Sequence, residues 1–118
     1  MSNEISISAS LTFSKGGASV SRSEGIQVSV TGDAFSHEVQ EVGITEEALA
    51  QGADLGTPGY MFIKNLDATN YVEVGSTTGV YDIKLKAGEV AIYRHNSATV
   101  YAKANTAACL VEYLLIEA

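Results

Sequence analysis

The sequence predicts an all-β protein, an antiparallel β-sandwich or jelly roll of about eight strands with one short helix. Two patterns carry this prediction. In the first half, apolar residues alternate with Ser and Thr from Ile5 to Phe13, which is the period-two pattern of a half-buried strand. In the second half, six tyrosines 8 to 12 residues apart lie in or beside short apolar runs separated by turn residues.

The N-terminal elements follow from this alternation. The first strand covers Ile5 to Phe13, and Lys15-Gly16-Gly17 predicts a turn after it. A short strand is expected around residues 19–22 and a further one over Ile26 to Val30. A looser alternation through residues 35–39 predicts another.

One segment has the local signals of a helix of one or two turns. Thr45 suits the N-cap, and Glu46 and Glu47 place negative charge on the first turn. Residues 48–51 are good helix formers, and Gly52 suits the C-terminal cap.

A loop rich in Gly and Pro follows from Gly52 to Gly59, and we expect it to cross between two halves of one domain. Regular strands and turns occupy the rest of the chain. The six predicted strands are Tyr60 to Asn65, Tyr71 to Val74, Val80 to Leu85, Val90 to Arg94, Thr99 to Lys103, and Cys109 to Ile116.

Length and charge limit the possible functions. The 118 residues predict a single β-sandwich domain, 1–118, that needs no cofactor to fold. A net charge of −7 argues against binding nucleic acid or anionic membranes, and no apolar run is long enough to span a bilayer.

The segment from Ser23 to Ile63 contains seven acids and no Lys or Arg, so it is either a solvated face or a docking segment for a basic partner. The candidate docking residues are Glu38, Glu41, Glu46 and Glu47.

Residues with catalytic or metal-binding potential are few and scattered. Cys109, the only cysteine, lies in an apolar run and is expected to be buried and inert. His37 and His95 belong to no metal-binding spacing, and Asn65 to Asn70 is read as a structural turn in preference to a calcium loop. We therefore expect no enzymatic activity, no cofactor and no metal.

The last predicted strand is apolar on both faces, which indicates either a position between two layers or cover from another chain. The apolar face of the N-terminal strand could likewise be covered by this chain or by another chain. The candidate interface residues are Ile5, Ile7, Leu11, Phe13, Leu110, Leu114 and Ile116.

About half of the chain resembles small β-rich structural proteins of tailed-bacteriophage virions. The resemblance is carried by TPGYMFIKNLDATNYVEVG at residues 57–75, LKAGE at 85–89, YAKANT at 101–106 and EYLLIEA at 112–118. It implies a virion protein made in the host cytoplasm, and it brings no catalytic or ligand-binding residues with it.

Among virion roles, a small β-rich chain without heptads or low-complexity repeats favours a capsid decoration or cement protein. Its expected partners are the major capsid protein or other virion proteins, and further copies of itself in a homo-oligomer. The alternatives are a tail or fibre component, or a carbohydrate-binding adhesin that uses its tyrosines.

Overall fold

A computed structural model describes residues 4–117, and within that range every strand pairing is antiparallel. The same residues contain no helix, and hence none long and apolar enough to cross a membrane. The chain divides into two compact units, one up to Thr31 and one from Gly32 onward. The strands are β1 (Ile5–Lys15), β2 (Ala18–Val28), β3 (Phe35–Val42), β4 (Glu47–Ala48), β5 (Pro58–Asn65), β6 (Val72–Gly75), β7 (Ile83–Leu85), β8 (Val90–Arg94), β9 (Tyr101–Ala104) and β10 (Cys109–Glu117).

The first unit is a long hairpin of β1 and β2, paired without a break from Ile5 opposite Val28 to Lys15 opposite Ala18. Gly16 and Gly17 form its turn with φ angles of 57° and 91°, a region that favours glycine. The predicted first strand and turn are confirmed. The two short strands expected after the turn are instead one continuous strand, because pairing with β1 extends order through the polar residues of β2.

The second unit contains two four-stranded sheets. Their strand orders are β3-β10-β5-β8 and β4-β9-β6-β7. Each chain connection from β3 to β6, and each from β7 to β10, passes from one sheet to the other. The loop from Gly52 to Gly59 is one of these crossovers, as the sequence predicts.

Side chains from both four-stranded sheets meet in one hydrophobic cluster. From the first sheet, β10 contributes alternate residues that are fully buried, with the intervening residues turned outward. From the second sheet, β6 and β9 contribute Val72, Val74 and Ala102. The cluster includes Val42, Met61, Ile63, Val72, Val74, Leu85, Val100, Ala102, Val111, Tyr113 and Leu115.

The predicted helix at residues 45–51 is wrong. Glu47 and Ala48 pair with β9 as a short edge strand, and the amide of Leu49 donates to the carbonyl oxygen of Val100 at 2.9 Å. The side chain of Leu49 is 2% exposed and packs in the core. A helix of one or two turns is marginal in water, so core burial and sheet pairing outweigh the local propensity.

The six strands predicted from Tyr60 onward are all present, five of them with no more than small shifts at their ends. The strand predicted over Val80 to Leu85 is shorter and begins at Ile83. Strand β3 also occupies the predicted position. Residues 4–117 contain ten strands, two in the hairpin and eight in the second unit, against the predicted total of about eight.

Candidate functional site

The candidate interface residues of the last strand lie on one surface. Strand β10 has β3 on one side and β5 on the other, so its backbone is paired along both edges. Leu110, Leu114 and Ile116 point away from the core, and Leu110 is 50% exposed. The strand is thus central within its sheet, and its second apolar face is a surface of the protein.

Apolar side chains on the neighbouring strands extend this surface. Cα register places Leu114 beside Phe62 of β5, and Phe62 beside Ile92 of β8. On β3, Phe35 and Val39 are more than half exposed. We call this surface the outer face, and its apolar members are Phe35, Val39, Phe62, Val90, Ile92, Leu110, Leu114 and Ile116.

Charged groups lie within and around the outer face. Nε2 of His37 is 2.9 Å from Oε2 of Glu112 across β3 and β10. On the β8 side, the Arg94 guanidinium lies over the Tyr60 ring, 4.5 Å from its centroid. Register also sets Lys64 of β5 opposite Glu112 of β10, in the row next to Leu114 and Phe62. The face therefore combines apolar and charged side chains on its central strands, a mixture that is found in protein interfaces.

The interface residues predicted on the first strand share one face of the hairpin. Ile5 is buried and Ile7 half-buried, whereas Leu11 and Phe13 are 77% and 51% exposed. This group belongs to the first unit and is separate in the chain from the group on β10.

The four acidic residues proposed for docking have different surroundings. Glu38 and Glu41 are exposed on β3, and their three-residue spacing directs them to opposite faces of the strand. Glu47 accepts hydrogen bonds from the Gly43 amide at 2.8 Å and from the Gln40 side chain.

Glu46 is hydrogen-bonded to a neighbouring loop. Its carboxylate accepts hydrogen bonds from the Tyr81 hydroxyl and, at 2.8 Å, from the Gly79 amide. The Tyr81 bond, followed by the Gly79 bond, lowers the pKa of Glu46. The hydrogen bond to Glu46 is in turn the largest cause that raises the pKa of Tyr81 to about 12. Glu46 and Glu47 thus organise their own loops, which leaves Glu38 and Glu41 as the acids of this set that point freely to solvent.

His95 is buried directly after the end of β8. Its Nε2 donates to the Thr99 carbonyl oxygen at 2.8 Å, and Nδ1 is 3.4 Å from the Tyr93 hydroxyl. Burial raises the pKa of Tyr93 to about 12. The ring fixes the loop after β8, next to an open cleft of about 250 Å³ lined in part by Arg94 and Asp82.

Cys109 and Asp67 have structural roles. The Cys109 thiol is buried as predicted, and burial raises its pKa, which disfavours the reactive thiolate. Asp67 accepts the amide hydrogens of Thr69 and Asn70, and these bonds lower its pKa. Within residues 4–117, no group of three or more His, Cys, Asp or Glu side chains is placed to hold a metal ion.

Three tyrosine rings carry a cation over one face. Lys84 lies 4.2 Å from the ring centroid of Tyr71, and Lys103 lies 5.9 Å from that of Tyr81, in addition to Arg94 over Tyr60. A ring covered in this way has one face fewer for stacking on a sugar.

Sequence reasoning found the β10 part of the outer face and missed the rest. Phe62 on β5 and Ile92 on β8 alternate with buried or partly buried apolar residues, so the available signal on these strands was apolar residues at both strand phases. On β3, Phe35 and Val39 alternate with polar residues, so this signal is absent. Such residues form one surface only if their strands are neighbours in the sheet. The order of strands in a sheet cannot be predicted from local sequence. Comparisons with protein-family models, curated proteins and solved structures find no match to the chain.

Proposed function

We propose that this protein is a non-enzymatic structural protein of a tailed-bacteriophage virion, a decoration or cement protein that stabilises the head by binding between capsid subunits. The sequence segments that resemble phage virion proteins support this assignment. The outer face is the observation that carries it, because an apolar surface supported by a rigid sheet suits binding to another protein.

We propose further that the second unit is a jelly-roll sandwich. Its eight strands, taken in chain order, pair first with last (β3 with β10), second with seventh (β4 with β9), third with sixth (β5 with β8) and fourth with fifth (β6 with β7). These pairs alternate between the two sheets, as they do when a long antiparallel hairpin wraps around a core. Viral capsid proteins and lectins both use this architecture, so the fold does not choose between them.

The size of the outer face suits a docking role. Four strands about 4.8 Å apart and four rows of side chains give roughly 400 Å² of flat surface. Apolar residues cover only part of this area, because Lys64, Glu112 and Arg94 lie on the same face. The largest apolar patches on monomers reach about 300–600 Å² and are often functional. A partner that covers Leu114 and Phe62 removes the centre of this patch from water.

The surroundings of the tyrosines favour decoration over a carbohydrate-binding adhesin. An adhesin is expected to expose aromatic rings together as a platform. Here Tyr113 is fully buried, the other five tyrosines are partly buried, and three rings carry Lys or Arg on one face.

The test is binding to particles that lack this protein. Wild-type protein and Leu114→Glu are added separately to heads from a phage in which the coding sequence is deleted, and occupancy is measured on sedimented particles. We expect the charge at the centre of the outer face to reduce occupancy at least tenfold. Ile44→Glu is the matched control, because Ile44 is 55% exposed in the loop after β3, outside the outer face.

Salt separates the two docking modes. Attachment through the apolar residues of the outer face resists high salt, whereas attachment through exposed carboxylates weakens with it. The carboxylates are Glu38 and Glu41, of which Glu41 lies beside Leu110 on the outer face. Equal occupancy of the two Glu variants removes the outer face from the proposal. Failure of the wild-type protein to bind any head refutes the decoration role itself.

A further inference from the structure

The β1–β2 hairpin has two chemically opposite faces. One face is made only of Ser, Thr, Gln and Gly, in the register pairs Ser6–Gln27, Ser8–Gly25, Ser10–Ser23, Thr12–Ser21 and Ser14–Ser19. The other face carries an apolar stripe, which we define as Ile7, Ala9, Leu11 and Phe13 of β1 with Ile26 and Val20 of β2.

The apolar stripe is exposed to an unusual degree. Leu11 is 77% exposed, Val20 63%, Phe13 51% and Ile26 43%. A two-stranded ribbon is at best marginally stable in water unless its apolar face packs on something. A polar face of Ser and Thr opposite an apolar stripe is typical of an antiparallel sheet that packs against other protein on one side and faces water on the other.

We propose that the apolar stripe is a self-association surface, on which the hairpins of two copies pack face to face about a two-fold axis perpendicular to their strands. Such an axis sets β1 against β1 of the partner copy, running antiparallel. It passes midway between the Ala9–Glu24 and Leu11–Arg22 pairs, which is the middle of the exposed stripe.

This arrangement gives steric complementarity along the stripe. Leu11 faces the small Ala9 of the partner copy, so the most exposed side chain meets the smallest one. Ile26 faces Val20, and Ile7 faces Phe13, so the apolar contacts continue on both sides of the axis. Because a two-fold contact is isologous, each of these pairs occurs twice.

The same axis also matches charges. Arg22 and Glu24 are the two charged residues within the stripe, and they form an ion pair of 2.6 Å within one chain. The perpendicular axis sets Arg22 against Glu24 of the partner copy and creates a neutral cluster of two acids and two bases. An axis parallel to the strands would set Arg22 against Leu11 and bury the charges against apolar groups, which is unfavourable.

The area of the stripe predicts a weak contact. Four rows of side chains on two strands cover roughly 25 Å by 10 Å. This is well below the roughly 800 Å² that each partner contributes to a standard interface. We therefore expect dimers of the isolated protein only at high concentration, and stronger association where copies are already held side by side.

The experiment mixes two charge-reversal variants of the full chain. Arg22→Glu alone places acids against acids across the axis, and Glu24→Arg alone places bases against bases. Sedimentation equilibrium, up to about millimolar protein, should show each variant as a monomer where wild type is partly dimeric. In the equimolar mixture both cross-axis pairs become opposite in charge, and we expect dimers at least as abundant as in wild type.

The matched control carries the same charge changes on the polar face. The double variants Ser21→Glu/Ser23→Glu and Ser21→Arg/Ser23→Arg change the charge by the same two units as the test variants. We expect each of them alone to dimerise like wild type. The proposal is overturned if the test mixture stays monomeric, or if wild type is monomeric at every concentration. It is also overturned if hydrogen exchange shows that dimerisation protects β8 or β10 in place of the hairpin. Circular dichroism of each variant separates loss of association from loss of folding.

Discussion

Tyr113→Phe removes one buried hydroxyl and tests how the segment after β4 is held. The hydroxyl donates to the Ala50 carbonyl oxygen at 2.6 Å, and Oε1 of Gln40 is 3.2 Å away. The Tyr113 ring is fully buried, so Phe keeps the packing and removes only the polar contact. One such bond contributes about 0.5–1.5 kcal/mol, and an acceptor left without a partner adds up to about 1–3 kcal/mol. Because Ala50 is exposed and water can reach it, we expect a loss of about 1–1.5 kcal/mol in the free energy of unfolding.

The same substitution should change the response to alkaline pH. Burial, the largest cause, raises the pKa of Tyr113 to about 12 from its ordinary value of 10. Between these pH values the unfolded chain releases the phenolic proton and the folded chain keeps it, so stability falls as pH rises. The stability that the raised pKa of Tyr113 contributes is fully present below pH 10. A gap of two units corresponds to at most about 2.7 kcal/mol.

The assay is urea unfolding of wild type and Tyr113→Phe at neutral pH and between pH 10 and 12. All other ionisable groups are common to the two proteins, so the difference between them isolates Tyr113. We expect the two stability curves to converge above pH 10 and then to cross, because the alkaline loss of up to about 2.7 kcal/mol exceeds the advantage of wild type at neutral pH. Hydrogen exchange of the Ala50 amide, which donates to Gln40 Oε1 at 2.9 Å, should be faster in the variant. A difference that is below about 0.3 kcal/mol at neutral pH and unchanged above pH 10 would refute the role given to the hydroxyl.

Three further substitutions probe the second unit. Leu49→Ala should lower the free energy of unfolding by about 2–4 kcal/mol in chemical denaturation, because this side chain packs in the core; a loss below about 1 kcal/mol contradicts that placement. Gly75→Ala should lower the melting temperature more than Gly79→Ala does, since a Cβ on Gly75 would lie 1.9 Å from the Val80 carbonyl oxygen; equal effects would mean that the backbone yields easily. Asp67→Ala should lower the melting temperature at neutral pH and matter progressively less as pH falls through the lowered pKa of Asp67. That stability is present above the pKa of the unfolded carboxyl, so a penalty that persists in strong acid would contradict the proposed cause.

The strands after residue 59 were predictable because their alternation and turn chemistry agree with the tertiary structure. Asn65 illustrates this agreement: its side chain donates to the carbonyl oxygens of Asn70 and Leu85 and accepts from the Asp67 amide. Local preference and packing select the same turn there, which makes the sequence easy to interpret.

The errors occur where distant partners decide the structure. Residues 45–51 have good helix formers, yet Leu49 is drawn into the core, and Gln40, distant in sequence, accepts from the Ala50 amide. In β2, Arg22 and Glu24 interrupt the apolar alternation, so the sequence alone suggests a break. Pairing with β1, set by the Gly-Gly turn, continues through both. The outer face was only partly predictable for a similar reason, because it depends on which strands become neighbours.

The two exposed apolar surfaces differ in what supports them, and this difference bears on assembly. The outer face belongs to a sheet whose other side packs in the core, so its backbone order does not depend on a partner. The hairpin has a polar Ser and Thr face opposite its apolar stripe, so within the first unit a ribbon must hold itself by its ladder and turn. A surface that is rigid before binding loses little conformational entropy on docking. A marginally stable ribbon loses more, so its association is favourable chiefly when copies are already held close together. Under the proposed function, the outer face would attach to the head first, and the hairpins would then link copies that are already attached.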